Sequence, residues 1–396
     1  MGETTANNNR SIKMVRLLFG LTTMFFWASE YCHVPYFTPY LRTLSMAASL
    51  MGYLVGCYGF TQPIVRIPLG IFADRSGKYK LLVTSGCFFT TVSSLLLFIT
   101  TNIPLMFFAR ILAGVAASHW VAFTVMFTGY YKPEESGKAI ATINGFNNTG
   151  KLLAFFLGMA AATLVDYRMP LLMSVLTGFV AVVLSLFIKE GQTRRREPVS
   201  IPELLKVFKD KTVLVPALFA VIMQMLGQGT AFSFTSDVAR SIGANAIEIG
   251  VASCLFTGSQ IATAVFLSGS FAQRQKSHHM IAVGFVLFVC YCLTIGLTGS
   301  MWLIYPAQII GGIGNAILTS VLMSSSIRYI KPEKKSTAMG FYQAIYGIGM
   351  TAGPVIMGYF VEYSGYTGGF GIFAAFAAIA AVLAFVFIPR IQPKEA

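Results

Sequence analysis

Twelve apolar stretches, each long enough to cross a bilayer as a helix, occupy most of this 396-residue chain and dictate what it folds into. They fall at residues 14–38, 45–69, 81–101, 104–130, 139–164 and 169–188, and then at 213–236, 245–271, 280–298, 301–329, 338–361 and 367–388. Hydrophobic residues make up 55% of the chain and charged residues 11%, whereas a soluble domain holds about 45–50% and about 25%. A soluble enzyme with a single anchor is thereby excluded, and twelve spans at about 20 residues each leave no room for a large soluble domain. Backbone in hydrocarbon must be helical or closed into a barrel, and the alternating strands of a barrel are absent, so the spans are helices. The first stretch continues through Pro35 and Pro39 without a small-residue cleavage pattern, so it is not a cleavable signal. Residues 1–10 read as a short solvated tail.

The basic residues orient the spans. With the amino terminus inside, 24 of the 29 Lys and Arg residues fall in the tails and connections on the cytoplasmic side. Only Arg42, Arg168 and Arg240 fall outside, while Arg110 and Lys151 lie within spans. This asymmetry predicts a multi-pass cell-membrane protein with both termini cytoplasmic. It also accounts for the net charge of +14 without nucleic acid, for which no basic-aromatic surface module is present. The six cysteines lie in apolar windows without metal-ligand spacing and read as small packing residues. His278 and His279 sit beside Lys276 in a connection and give no zinc signature. No metal or other cofactor is expected, and no nucleotide-binding loop is present.

Residues 189–212 form the one long connection, with Pro198, Pro202 and many charges, and separate a first six-helix unit (1–188) from a second (213–396). At an offset of 199 residues Gly70 meets Gly269, Arg75 meets Arg274, Gly150 meets Gly349, and Lys132-Pro133-Glu134 meets Lys331-Pro332-Glu333. At 198, Ala109 and Gly114 meet Ala307 and Gly312. Matches in the same order at equivalent places mark a duplicated unit. Duplicated halves with a site near mid-membrane are the plan of a rocking secondary transporter.

One connection narrows the reading further. Between the second and third spans the chain runs Gly70-Ile-Phe-Ala-Asp74-Arg75-Ser-Gly77-Lys78-Tyr-Lys80, which resembles the G-x-x-x-D-R-x-G-R-K loop of the major facilitator superfamily. Ala109-Arg110-Ile-Leu-Ala-Gly114 in the fourth span resembles that superfamily's R-x-x-x-G element, seen in its drug/proton antiporter branch. The resemblance implies an all-α integral membrane protein, with twelve helices in two pseudo-symmetric bundles, working by alternating access. It also implies that Gly70, Asp74, Arg75, Gly77 and Lys78 form a cytoplasmic gate; the alternative role of these basic residues is anchoring at the anionic leaflet. The second half keeps Gly269 and Arg274 but has Gln273 and Lys276 where the acid and second glycine would stand. The Gly-Pro element that the branch carries in its fifth span is missing there, and Gly349-Met-Thr-Ala-Gly353-Pro354 stands in the eleventh instead. Direction of transport therefore stays open.

Polar groups inside spans are expensive and mark candidate sites. Glu30 lies inside the first span with Trp27 and His33 a turn away on either side, suited either to proton exchange or to a structural bond. Arg110 is either a substrate contact or a brace between helices. Asn144, Asn148 and Lys151 form one stripe of the fifth helix, bordered by Asn147, and the lysine either binds an anion or pairs with Glu30. Gln224 and Gln228, Gln308 and Asn315, and Tyr342 with Tyr346 are weaker candidates for substrate contact, each equally suited to holding helices together. Asn147-Asn148-Thr149 matches a glycosylation acceptor but lies inside a span. The expected function is proton-coupled movement of a small organic solute by a monomeric, non-enzymatic carrier. The runner-up is a symporter or uniporter for a small organic anion. A membrane enzyme and a non-transporting receptor are remoter alternatives, and no nucleophile–base pair supports the former.

Overall fold

The computed structural model describes residues 2–132, 135–190, 210–267, 276–328, 330 and 335–391, without the side chains of 2–11, 67, 74, 335–337 and 390–391. The described residues are overwhelmingly helical and contain no strand. Among the described residues, nine helical stretches are long and apolar enough to cross a membrane. One of them, Ala338–Pro389, is 52 residues long and breaks at Gly365, whose φ of 68° lies outside the helical region, so it makes two spans. Ala48–Ser76 and Ser136–Leu164, 29 residues each, complete the twelve. The ends are closed by local chemistry: Asn102 and Ser300 accept hydrogen bonds from Leu105 N–H and Trp302 N–H at the starts of their helices. Gly77 turns the chain between the second and third spans with φ +67°, the left-handed conformation that a tight turn there requires.

Three spans are interrupted where the apolar pattern is continuous. The first, Ile12–Thr43, has a turn at Cys32–His33 between Gly2–Tyr31 and Val34–Thr43. The fourth breaks at His119, between Ile103–Ser118 and Trp120–Thr128. The seventh widens into a π turn at Thr230–Phe234 before ending at Ser241, a local expansion that frees backbone groups and clusters at functional places. There Ser233 Oγ donates to the carbonyls of Gln228 and Gly229 at 2.6 and 2.9 Å.

By contacts the chain divides into two compact units, Met1–His33 with Ile64–Pro198, and Val34–Pro63 with Val199–Ala396. In the first unit the first span packs against the fifth and sixth, and the third against the fourth and sixth. In the second unit the seventh span packs against the eleventh, the ninth against the tenth, and the eighth against the tenth. The duplication is visible in the packing itself. An added methyl at Gly150 would lie 2.3 Å from the carbonyl oxygen of Met24, and one at Gly349 would lie 2.0 Å from that of Val221. The paired glycines thus let the fifth span touch the first, and the eleventh touch the seventh, backbone to backbone. The first unit's core is aromatic, with Phe19 and Phe26 both against Phe123 at ring distances of 5.8 and 4.8 Å.

Residues 191–209 of the long connection, Gly269, Gln273 and Arg274 of the second-half loop, and Lys331-Pro332-Glu333 lie outside the described residues. So does the side chain of Asp74; of its neighbours, Arg75 and Lys78 are exposed. Basic residues at that end of the first unit hold carbonyls: Lys80 Nζ donates to Leu186 O at 2.9 Å, and Arg16 Nε donates to Tyr130 O at 3.1 Å.

Candidate functional site

The interruption of the first span at Cys32–His33 brings two sequence candidates, Glu30 and His33, against the third, fourth and sixth spans of the first unit. Glu30 is 4% exposed, His33 4% and Arg110 6%, so charge here is removed from water and must be answered by neighbours. Arg110 NH1 lies 3.3 Å from His33 Nε2, and His33 Nδ1 lies 3.1 Å from Ser174 Oγ. A guanidinium only donates, so Nε2 accepts; the ring is then neutral with its proton on Nδ1, a tautomer assigned from these bonds. Thr90 Oγ1 is 3.2 Å from Ser29 Oγ, which donates to Ser174 O at 2.7 Å. Arg110, His33, Ser174, Ser29 and Thr90 are thus linked in sequence, and Glu30 completes a ring of polar groups between Arg110 and Thr90, both of which act on its carboxyl.

Ser29 has one hydroxyl proton and gives it to Ser174 O, so across its contact with Thr90 the Thr90 hydroxyl donates to Ser29 Oγ. Glu30 Oε1 has no hydrogen-bond partner among the described residues, an open position on a buried carboxyl where a proton can be held or released.

Lys151 is not joined to this ring. Its ammonium lies 5.4 Å from the Trp27 ring centroid and 4.9 Å from that of Tyr31, and it makes no ion pair with Glu30. On the same helix Asn144 is exposed and Asn148 half-buried. The buried asparagine is Asn147, 8% exposed with Oδ1 unbonded among the described residues. In the second unit Gln308 is 2% exposed with Oε1 unbonded, and Asn315 lies beside Gly227 of the seventh span. Gln224 and Gln228 are half-buried, and Tyr342 and Tyr346 meet edge to face at 5.5 Å.

A second charged cluster escaped the sequence reading. Arg42 grips both oxygens of Asp237, with Nε at 3.2 and 3.0 Å, and Tyr366 donates to Oδ2 at 2.8 Å. Arg240 and Ser241 join these three around a cavity of about 250 Å³. The apolar window ended at 236, one residue before Asp237, whereas the helix continues to Ser241. A signal was available: Arg42 and Arg240 are related by the 198-residue offset of the duplication.

The model of the Major Facilitator Superfamily matches the chain twice, over residues 19–236 and 217–396. The chain is 22% identical over 338 residues to Multidrug resistance protein 1 of Bacillus subtilis, covering 82% of this chain and 84% of the relative. It is 21% identical over 333 residues to the quinolone resistance protein NorA of Staphylococcus aureus, again covering 82% and 84%. Among solved structures, the inward-facing, unoccupied bacterial homolog of the human lysosomal transporter Spinster superposes with a TM-score of 0.82 at 15% identity, covering 97% of this chain and 99% of that one. Family model, fold and duplicated spans agree: the chain belongs to the Major Facilitator Superfamily, and it is a multi-pass membrane transporter rather than an enzyme.

Proposed function

We propose that this transporter moves a small organic solute across the cell membrane by alternating access coupled to protons, as a monomer with both termini cytoplasmic. The observation that carries the coupling is Glu30: a buried carboxyl with one oxygen open among the described residues, set beside Arg110 and the Thr90 hydroxyl. His33 and Arg110 position that carboxyl, and the solute contacts are drawn from Lys151, Asn144, Asn148 and Arg110 in the first unit. Gln224, Gln228, Gln308, Asn315, Tyr342 and Tyr346 are the corresponding candidates in the second unit. The drug-resistance relatives support the antiporter mode.

A second reading is supported by Lys151, whose charge is answered by rings and by no carboxylate among the described residues. It is uptake of an organic anion by symport or uniport. For the Gly70-Asp74-Arg75-Gly77-Lys78 turn the proposed role is a gate, and Asp74→Asn is expected to lower flux without changing the yield of folded protein.

The test is made in proteoliposomes enclosing a pH-sensitive dye and challenged with a panel of organic acids, amino acids, sugars and lipophilic cations. A transported member should move protons in the wild type. Glu30→Gln should abolish that movement while counterflow exchange of the same solute continues, because only the titrating step is lost. Unchanged proton movement in Glu30→Gln would make the carboxyl structural.

A further inference from the structure

The buried charge of the first unit does not balance. Arg110 and Lys151 each carry +1, Glu30 carries −1 when ionised, and His33 is neutral in its bond to Arg110. Arg110 answers Glu30, so the surplus positive charge belongs to Lys151, in the middle of a 29-residue helix. Its ammonium is half-buried and meets the Trp27 and Tyr31 rings at 5.4 and 4.9 Å, without a hydrogen bond or ion pair among the described residues. Ring quadrupoles offset only part of the desolvation of a cation. A second donor on the same wall is also unanswered: the indole N–H of Trp27, 8% exposed, has no acceptor among the described residues.

Two unfilled donors on one aromatic wall call for an acceptor that carries one negative charge. The rest of the wall is flat and apolar. Trp27 meets Trp120 edge to face at 5.4 Å, Tyr31 meets Phe155 at 6.3 Å, and Tyr31, Leu153, Leu157 and Met173 pack against Ala28, Cys32 and Ala154. Tyr31 and Trp120 are only half-buried, which leaves ring surface for a planar ligand to stack on or meet edge to face. We infer that Lys151, Trp27 and Tyr31 form a receptor for an aromatic monocarboxylate, the ammonium and indole N–H taking the carboxylate and the rings taking its planar body. The inference rests on reading the chain as a solute carrier and names the class of solute.

Trp27 and Trp120 are two of the three tryptophans in the chain, so binding is read by quenching of intrinsic fluorescence in the purified protein in detergent at pH 7.5. The probes are benzoate, its neutral analogue benzamide, its non-aromatic analogue cyclohexanecarboxylate, and benzylammonium. Benzoate should quench saturably, and each of the other three should bind at least about tenfold more weakly, a difference of about 1.4 kcal/mol. Lys151→Gln should weaken benzoate by about tenfold or more while Lys151→Arg stays within about threefold, since the cation is kept. Trp27→Phe keeps an aromatic ring but removes the N–H along with part of the indole, so it should weaken benzoate severalfold and lower the melting temperature slightly, with quenching followed at Trp120.

No saturable benzoate binding, equal binding of benzamide, or undiminished binding in a folded Lys151→Gln protein would overturn the receptor. Equal binding of cyclohexanecarboxylate would overturn its aromatic selectivity. Binding is read without a gradient, so these failures leave proton coupling at Glu30 to stand or fall on the dye assay. A wild type that binds benzoate yet moves no panel solute would instead overturn the carrier reading.

Discussion

The same two positions are charged in one half of the molecule and neutral in the other. At the 198-residue offset that superposes Ala109 on Ala307 and Gly114 on Gly312, Glu30 meets Gln228 and Arg110 meets Gln308. The first unit buries a carboxyl and a guanidinium at these places, whereas the second has two amides there, Gln228 half-buried and Gln308 buried with an oxygen unbonded among the described residues. The helix packing around them is shared, down to the glycines that seat the fifth span on the first and the eleventh on the seventh. A six-helix unit of this design therefore holds together without the charged pair. Buried charges add little net stability against their desolvation, so cohesion is a poor reason for the two charges in the first unit, and the proposed coupling supplies another. Where the second unit does keep a buried carboxylate, Asp237, it is bound by Arg42 and Tyr366 together, and both its oxygens accept hydrogen bonds.

That contrast can be broken by substitution. The largest effect is expected from Arg110→Gln alone, which leaves Glu30 buried without its cation; the loss should be about 3–5 kcal/mol, read as a lowered melting temperature in detergent. Glu30→Gln with Arg110→Gln gives the first unit the residues of the second and should recover most of that loss. A double variant as unstable as the single would mean that the pair is cohesive after all. The shared scaffold is probed by Gly150→Ala and Gly349→Ala, whose added methyls meet backbone at 2.3 and 2.0 Å. Each should cost about 1–3 kcal/mol through forced separation of the helices, and near-equal losses in the two halves would sharpen the equivalence. The smallest effect is expected from Tyr366→Phe, which removes one donor from Asp237 while Arg42 still holds both its oxygens, and it should cost about 0.5–1.5 kcal/mol. Its proton movement should match the wild type; a fall would show that the second unit's carboxylate shares in coupling.

Much of this architecture was legible in the sequence, because a bilayer demands long apolar runs and penalises every polar group inside them. Glu30, His33 and Arg110 stood out on that ground alone, and the duplication stood out in Gly150 and Gly349. Their partners did not. Ser29, Thr90 and Ser174 are hydroxyls in apolar helices, and such groups commonly bond their own preceding turn, as Thr22 and Thr23 do here to Leu18 and Phe19. Only tertiary packing sets the three that reach across. The breaks at Cys32–His33 and His119 and the π turn at Thr230–Phe234 were equally hidden, since hydrophobicity runs through them. Lys151 had two sequence readings, and what separates them is which neighbours its helix faces: Trp27 and Tyr31 lie against it, one turn apart on the first span.

The central claim is that the Glu30–Arg110 pair serves proton coupling and not cohesion, and one measurement meets it directly. The Glu30→Gln variant is reconstituted beside the wild type, and dye-reported proton movement is divided by counterflow exchange of the same panel solute, across pH 5 to 8. The account predicts a folded variant that exchanges solute with no accompanying proton movement at any pH. A variant that moves protons per solute exchanged as the wild type does would contradict it.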